Sequence, residues 1–307
     1  MYSFIVNPNA GGGQGERIWR RLERRLAYLK IEYQVFLTKK AGDAGAFAQI
    51  LTKKCREPRI IIVVGGDGTI NETVDALDFD GPVTLGYIPA GCGNDFARSL
   101  HLPKNPLRAL KKIITPKRYR LLDYGVITCG EPLFHRRFAV SAGIGLDAAV
   151  CREIANSGIR KVLSRLHLEK LSYAFIGIKK FLFARPVKGY LILDGVQKVE
   201  FNHIYFISAH IHPYEGGGFR FAPDADSSDG KLTVCVLHHG KKGKLVPVLM
   251  DTFFGRRCKR PGLRSYDCDE VEIHMDRPMA VHADGENCLE QKEIHVRCIP
   301  QKLRMTV

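Results

Sequence analysis

Apolar runs and segments of helical spacing alternate along the first 124 residues of the chain. Mostly apolar runs at 3–6, 60–64 and 83–88 predict buried strands, and each is followed by a turn. Apolar residues then recur three or four positions apart between residues 18 and 29, which predicts a helix behind the first strand. Further helices are predicted at 44–55 and 106–114. This alternation predicts a parallel α/β domain at 1–124.

The pattern of hydrophobic and polar residues changes after residue 124. Short strand-like runs follow one another, and helical spacing is confined to 146–184. A mostly antiparallel second domain is therefore predicted at 125–296. Its predicted strands lie at 138–142, 189–193, 204–209, 232–237, 271–275, 279–281 and 294–296.

A glycine-rich turn follows the second apolar run. Gly65, Gly66 and Gly68 surround Asp67, and we expect these glycines to adopt positive φ and a helix to open at Asn71. Backbone N–H groups at such a turn suit a phosphate group. A carboxylate beside phosphates favours phosphoryl transfer, in which it meets a divalent cation or accepts a proton. A tight strand-to-helix turn without a ligand is the alternative interpretation.

Two similar loops follow the other two runs, at 7–13 and 89–98. Because crossovers in a parallel sheet are right-handed, the carboxyl ends of the three strands should lie along one edge, where α/β folds bind ligands. The sequence therefore predicts a cleft for a nucleotide polyphosphate, formed by the three loops together.

Taken in order, these blocks resemble the diacylglycerol kinase catalytic-domain superfamily, which includes sphingosine and ceramide kinases, and most of all its soluble bacterial members. The resemblance covers nearly the whole chain. It rests on Asn7-Pro8 with the glycine loop, Gly65-Gly66-Asp67-Gly68-Thr69 with Asn71-Glu72, Pro89-Ala90-Gly91 with Asn94-Asp95-Phe96-Ala97, Asp123 in Leu122-Asp123-Tyr124-Gly125, Gly216-Gly217-Gly218 with Asp229-Gly230, and Asp284-Gly285-Glu286.

The resemblance implies an ATP-dependent lipid kinase that uses Mg²⁺ and phosphorylates the hydroxyl of a diacylglycerol-like lipid. It also implies that the second domain is a β-sandwich with the acyl-chain pocket, and that residues 297–307 return to the first domain. The residues expected at the nucleotide are Asn7, Gly12, Gly13, Gly66, Asp67, Gly68, Thr69, Asn71, Glu72 and Cys92.

The resemblance also implies catalytic and metal-binding roles for particular residues. Glu286 is the candidate proton acceptor for the lipid hydroxyl, with Asp67 as the competing candidate, and Asp123 is expected to join Asp67 and a magnesium–water network near the γ-phosphate. A structural Mg²⁺ is expected at Asp226, Asp229 and the backbone carbonyl of Lys231. By sequence alone, each Asp-Gly pair could be only a hairpin turn.

One position departs from the family pattern. Cys92 stands where the family usually has a threonine whose hydroxyl touches the nucleotide. A thiol is a weaker hydrogen-bonding group, so nucleotide affinity or orientation should differ here.

Charge and composition change the picture in one respect. The formal net charge is +15, and basic residues alternate with apolar ones over 160–185, which is typical of a helix at an anionic membrane surface. The alternative is a core-facing helix with a solvated basic face. No nucleic-acid-binding signature accompanies the charge, so no nucleic-acid partner is expected.

Other features favour a cytoplasmic enzyme, peripheral at the inner membrane face. Nine cysteines without a CxxC pair indicate reduced thiols, the N-terminus shows no secretory leader, and the stretch 171–183 is too short to span a bilayer. A homodimer is an open alternative.

Two further motifs each have two interpretations. The stretch 143–148 fits a GxGxxA dinucleotide fingerprint, but the β-rich surroundings favour a packing turn between strand and helix. His210 and His212 would share a strand face and could chelate zinc, although no third ligand is evident from spacing. The alternative functions are an NAD kinase, which shares the GGDGT loop, and a nucleotide- or lipid-binding regulator without turnover.

Overall fold

The computed structural model describes residues 2–130, 134–156 and 169–307. The chain divides into two compact units, one formed by residues 2–122 with Gln301–Val307 and the other by the described residues from Asp123 to Pro300. Part of the basic and apolar segment at 160–185 falls on 157–168 and so lies outside the described residues.

The first unit is built on a parallel sheet. Strands β1 (Tyr2–Val6), β2 (Tyr33–Leu37), β3 (Arg59–Gly65) and β4 (Val83–Pro89) lie in the order β4-β3-β1-β2. All three pairings are parallel. The last residues of the chain add to this sheet, because Met305 pairs in parallel with Leu85. The helices of this unit are α1 (Ala10–Tyr28), α2 (Asp43–Thr52), α3 (Asp67–Ala76), α4 (Asp95–Ser99) and α5 (Pro106–Ile114).

The core of this unit explains why its strands read as unbroken apolar runs. Strands covered by helices on both faces bury consecutive residues, and Ile61, Ile62, Val63 and Val64 of β3 are all fully buried. From α1, Leu22 and Leu26 face the same core, and the ring of Trp19 packs 5.1 Å from that of Phe4. The predicted strands and helices of this half are confirmed, but β2 was missed. Its pattern is half exposed and lacks an apolar run.

The second unit is mostly antiparallel, as predicted. Long strands pair in register, for example Cys235 with Ser208, and Ile273 with Ile294. Its strands are β5 (Tyr119–Cys129), which begins in the first unit, β6 (Phe134–Phe138), β7 (Ser141–Gly145), β8 (Val187–Leu193), β9 (Gln197–His210), β10 (Leu232–His238), β11 (Leu263–Cys268), β12 (Glu270–Ala283) and β13 (Glu286–Thr306), which ends in the first unit. Its helices are α6 (Leu146–Asn156), α7 (Glu169–Phe183) and α8 (Val246–Phe253).

Three predictions for this unit need correction. The predicted strand at 138–142 is not a single strand, because β6 ends at Phe138 and β7 begins at Ser141. Helical structure is not confined to 146–184, because α8 begins at Val246 with Pro247 in its first turn, a position where a missing N–H costs no helical hydrogen bond. The runs 271–275 and 279–281 are parts of one strand, β12, whose register shifts between His274 and Met279.

The GxGxxA stretch lies at the junction of β7 and α6. Strand β7 pairs antiparallel with both β9 and β12, so no βαβ unit surrounds it. The interpretation as a packing turn is confirmed. Among the described residues, no helix has both the length and the apolar content to cross a membrane.

Candidate active site

The first glycine-rich loop contains three consecutive left-handed residues. Gly11, Gly12 and Gly13 have φ of 57°, 68° and 94°, which interrupts the first turn of α1. A Cβ on Gly11 would collide with the carbonyl oxygen of Ala90, so glycine is required there by space as well as by φ. Before this turn, Asn7 directly follows β1, and its side-chain amide donates to the Thr69 hydroxyl at 3.1 Å.

The second loop differs from the prediction. Gly65, Gly66 and Gly68 do not have positive φ, and α3 begins at Asp67 rather than at Asn71. Gly65 and Gly66 instead allow close approach: a Cβ on Gly65 would lie 2.6 Å from the Thr69 side chain, and one on Gly66 would lie 3.3 Å from Gly91 Cα. As a result, Asp67 and Gly68 stand in the first turn of a helix, where backbone N–H groups favour anions. Asn71 is fully buried within that helix.

The third loop, at 89–98, packs directly against the second. A Cβ on Gly91 would lie 2.6 Å from Gly66 Cα, so the two backbones touch. Asp67 Oδ1 accepts a hydrogen bond from the backbone N–H of Phe96 at 3.2 Å, which attaches it to the first turn of α4. Tyr87 donates its hydroxyl to the Gly65 carbonyl at 3.1 Å.

Asn94 closes this loop. It adopts a left-handed φ of 51°, and its side chain accepts from Gly91 N at 3.1 Å and donates to Gly91 O at 2.6 Å. Burial, and after it the charges of Asp67 and Asp95, raises the pKa of Tyr87 well above its ordinary value, so its hydroxyl remains a donor. The prediction that the three loops meet at the carboxyl ends of β1, β3 and β4 is confirmed, and Cys92 lies half-buried in the third loop.

In the second unit, the Asp284-Gly285 turn joins β12 to β13. Both residues are left-handed, with φ of 50° and 83°. The Asp284 carboxylate accepts three backbone N–H groups, from Ala139 at 2.7 Å, Val140 at 2.8 Å and Ser141 at 2.9 Å. Asp284 therefore fixes the turn to the segment that leads into β7. Glu286, the next residue after the turn, is exposed.

The predicted magnesium residues share one loop of the same unit. Asp123 is buried, and its Oδ2 accepts from Gly230 N at 2.8 Å while its own N–H donates to Ser227 O at 2.7 Å. Asp229 accepts from Lys231 N at 2.9 Å. Burial raises the pKa of Asp229, the Lys231 N–H opposes this, and the charge of Asp226 adds to it.

The charge of Asp226 raises the pKa of Asp229, so the two carboxylates lie close together. Carboxylate and backbone carbonyl oxygens in one loop are the hard donors that Mg²⁺ or Ca²⁺ prefers, so these residue types fit the predicted ion. Asp123 contacts this loop directly, which sequence reasoning did not anticipate.

A buried polar cluster, consisting of Asp147, Glu215 and His282, was missed by sequence reasoning. His282 Nε2 lies 3.2 Å from Asp147 Oδ2 and 3.5 Å from Glu215 Oε1, and their side chains are 1%, 4% and 8% exposed respectively. His210 Nε2 lies 3.4 Å from the other Glu215 oxygen. The local signals were Asp147 in the GxGxxA stretch, His282 beside the Asp-Gly-Glu block and Glu215 beside the Gly216–Gly218 block.

Burial lowers the pKa of His210 to about 3, with the charge of His282 acting in the same direction. For His282, burial also lowers the pKa, but the hydrogen bond to Asp147 and the charges of Glu215 and Asp147 outweigh burial and raise it to about 9. A pKa of about 9 would place a second proton on Nδ1 at neutral pH, but the backbone N–H of Gly285 donates to Nδ1 at 3.2 Å and occupies that lone pair, so this hydrogen bond requires a neutral ring.

The cluster has metal-ligand residue types, with one ligand atom of each within 4.8 Å of the others. Its hydrogen bonds argue against a metal. Since Nδ1 accepts from Gly285 N–H, the single proton of a neutral ring sits on Nε2, the atom a metal would need. We therefore describe it as a hydrogen-bonded cluster. His210 and His212, the zinc candidates, are buried beside it, and neither belongs to a group of metal-ligating side chains among the described residues.

Comparison with known proteins agrees with both units. Residues 1–126 match the diacylglycerol kinase catalytic domain, and residues 139–307 match the YegS C-terminal NAD kinase β-sandwich-like domain. The chain belongs to the diacylglycerol kinase superfamily. It is a kinase, and the predicted two-domain architecture of this superfamily is confirmed.

Relatives align over nearly the whole chain. A Bacillus subtilis (strain 168) protein named "Putative lipid kinase YtlR" is 28% identical over 287 residues, covering 92% of each chain. The diacylglycerol kinase of Mycobacterium tuberculosis (strain ATCC 25618 / H37Rv) is 26% identical over 290 residues, covering 92% of this chain and 87% of that one. The crystal structure of a Bacillus anthracis str. Sterne diacylglycerol kinase has the same fold, with a TM-score of 0.72, 21% identity and coverage of 99% and 96%.

Proposed function

We propose that the protein transfers the γ-phosphate of ATP to the hydroxyl of a diacylglycerol-like lipid. The observation that carries this proposal is the locking of three glycine-rich loops at one sheet edge, through the Asn7–Thr69, Asp67–Phe96 and Gly66–Gly91 contacts. A simple turn would not require three separate loops to fit backbone against backbone. Family membership supports a lipid as the acceptor.

The loops supply what a polyphosphate needs. The left-handed glycines at 11–13 let the backbone approach a phosphate closely, and the first turn of α3 adds a helix N-terminus. Asn7 and Thr69 are held to each other and complete this edge. Cys92 takes the place next to Gly91, where the loop meets Gly66. Gly12, Gly13, Gly66, Gly68, Asn71 and Glu72 complete the proposed nucleotide residues.

Two carboxylates carry the proposed chemistry. Asp67 would hold the Mg²⁺ that accompanies ATP, with its Oδ1 fixed by the Phe96 N–H in the first turn of α4, and the ion would neutralise charge on the phosphates. Glu286 accepts the proton of the lipid hydroxyl, since it is exposed and follows a turn that Asp284 fixes by three hydrogen bonds. Asp123 holds the loop of Asp226, Asp229 and Lys231, which binds a second, structural ion.

A phosphate-transfer assay tests this proposal. Labelled ATP is mixed with the protein and either detergent-dispersed diacylglycerol or NAD, and label is expected in the lipid. Asp67→Asn and Glu286→Gln should each lower kcat by about 100-fold or more, the usual range for a lost acid–base or charge-stabilising group. Asp80→Asn and Glu293→Gln, exposed residues of the same two units, serve as matched controls and should leave kcat unchanged.

Other results of this assay would support other functions. Label found only in NAD phosphate would assign the protein to NAD phosphorylation. Absence of transfer to every acceptor, together with ATP binding, would favour the regulator without turnover. Equal losses in the variants and in their controls would show that the two carboxylates have no special role.

The lipid substrate lies in a membrane, and the second unit has a surface suited to an anionic one. At the end of α7, Phe175, Ile178, Leu182 and Phe183 are 67%, 61%, 63% and 80% exposed. Lys242 Nζ donates to Leu182 O at 2.7 Å, which brings the basic segment 241–244 against this end of the helix. We name this surface, consisting of 175–183 and 241–244, the α7 surface.

Apolar insertion and lysine–phospholipid attraction act together on such a surface, each basic residue adding about 1 kcal/mol at an anionic leaflet. Sedimentation with vesicles tests it. Leu182→Ser with Phe183→Ser should abolish binding to anionic vesicles, whereas Tyr28→Ser with Ile50→Ser, exposed apolar residues of the first unit, should not. Equal binding of wild-type protein to zwitterionic vesicles, or full binding by the Leu182 and Phe183 variant, would reject the surface.

A further inference from the structure

The buried cluster of Asp147, Glu215 and His282 is connected to the turn that carries Glu286. His282 lies on β12 directly before the turn, and its ring nitrogen Nδ1 accepts the backbone N–H of Gly285 at 3.2 Å. The two strands pair Ala283 with Glu286 and His282 with Asn287. The imidazole is therefore bonded to the residue that immediately precedes the proposed base.

The other side of the ring is held as well. His282 Nε2 lies 3.2 Å from Asp147 Oδ2, and the Asp147 side chain is only 4% exposed at the start of α6. A carboxylate can only accept, so Nε2 carries the proton and donates to it. With Nδ1 accepting and Nε2 donating, both partners require the same neutral tautomer. Glu215 Oε1, at 3.5 Å, stabilises the same Nε2–H.

The backbone makes room for this arrangement. Gly143 is the cross-strand partner of His282. A Cβ on Gly143 would collide with Asp147 Oδ2 and lie 2.9 Å from His282 Nε2. Only a glycine at this position allows the carboxylate to reach the ring across β7.

We propose that Asp147 and His282 form a positioning pair that holds the Gly285 amide and, through it, sets the orientation of Glu286 for proton abstraction. Asp147 fixes the tautomer and the rotation of the ring, and the ring fixes Gly285. Neither residue contacts the reacting atoms. The catalytic part of this inference rests on the proposed function, whereas the tautomer and the Gly285 bond can be measured without any turnover.

Three substitutions test the two hydrogen bonds of the His282 ring, from Nε2 to Asp147 and from Gly285 to Nδ1. In His282→Asn, an amide oxygen close to the place of Nδ1 keeps an acceptor for Gly285. In His282→Gln, an amide close to the place of Nε2 keeps a donor for Asp147 and loses that acceptor. Gly143→Ala leaves both side chains intact and forces them apart. His274→Gln is the matched control, because His274 lies on the same strand with Glu293 at 3.2 Å and Glu272 at 3.5 Å, but its side chain is 20% exposed and lies outside the buried cluster.

The expected pattern is specific to positioning. His282→Gln and Gly143→Ala should lower kcat by about 10- to 100-fold, the usual effect of a lost orienting contact, with the KM for ATP unchanged. His282→Asn should retain much of the wild-type kcat, and His274→Gln should leave kcat unchanged. Hydrogen exchange at Gly285 should accelerate in the first two variants and remain slow in His282→Asn. The ¹⁵N spectrum of the wild-type ring should show Nε2 protonated and Nδ1 not.

Several results would overturn the inference. They are a ring protonated on Nδ1, a bound metal on Nε2, exchange at Gly285 that does not respond to His282→Gln, or equal kcat losses in His282→Asn and His282→Gln. If the wild-type protein transfers no phosphate at all, the proposed function fails, while the ¹⁵N spectrum and the Gly285 exchange still decide whether the pair holds the turn.

Discussion

The Asp-Gly-Glu turn allows stability and catalysis to be separated between two acidic residues two positions apart. Asp284 accepts three backbone N–H groups at 2.7, 2.8 and 2.9 Å, whereas Glu286 is exposed. We predict that Asp284→Ala destabilises the second unit strongly. Glu286→Gln should leave its stability unchanged and remove activity.

The magnitude follows from the contacts. Hydrogen bonds to a charged group each contribute about 1.5–3 kcal/mol, but three that share one carboxylate are not additive. Alanine at a left-handed position adds about 1 kcal/mol of backbone strain. We therefore expect Asp284→Ala to cost about 3–5 kcal/mol. Asp284→Asn should cost about 1–2 kcal/mol, because Asn tolerates the left-handed backbone and keeps Oδ1 for two of the three N–H groups.

Asp194 supplies the matched control. It also precedes a glycine in a hairpin, has φ of 51°, and accepts backbone N–H groups from Asp269 at 2.8 Å and Glu270 at 3.1 Å. Because it is exposed, Asp194→Ala should cost only about 1–2 kcal/mol. It should leave phosphate transfer unchanged, which distinguishes the position of Asp284 from a general effect of hairpin aspartates.

The assay must report on one unit, since a two-domain chain need not unfold in a single step. Urea unfolding is combined with hydrogen exchange of a peptide that contains residues 139–141. In Asp284→Ala these amides should exchange faster than in wild type or Asp194→Ala. Unchanged exchange there, or a large loss of stability in Glu286→Gln, would refute this account of the turn.

Three further predictions concern other contacts. Gly91→Ala places a Cβ 2.6 Å from Gly66 Cα and should weaken ATP binding by at least about 10-fold in calorimetry. Gly243→Ala, where a Cβ would meet no atom within 4 Å, should leave the affinity unchanged. Equal affinities of the two variants would contradict the fit of the two loops. Cys92→Thr should lower the Kd for ATP, because a hydroxyl is the stronger hydrogen-bonding group; a higher Kd would show that the thiol is adapted to this site. Asp123→Asn, which disturbs the 2.8 Å bond to Gly230, should weaken the 226–231 loop by about 1–3 kcal/mol, seen as faster exchange at Gly230; unchanged exchange would mean that Asp123 does not hold the loop.

The sequence alone determined the features that depend on neighbouring residues. Buried parallel strands read as apolar runs, so β1, β3 and β4 were recognised, and the glycine-rich loops after them located the candidate site. The order of the blocks along the chain identified the family. Half-exposed β2 was missed, and α8 was missed because an apolar run containing Pro247 can be read in several ways.

Tertiary structure decided what the individual groups do. The glycines of the Asp67 loop serve close approach to Thr69 and Gly91 instead of positive φ, because the backbones of two loops meet there. Asp284 holds a turn, and Asp147 and His282 meet across β7 although a long stretch of chain separates them. Strand formation is set by residues close in sequence, whereas a side chain's partner is set by the register and packing of distant strands. That physical difference is why the sequence located the site and only the fold assigned its contacts.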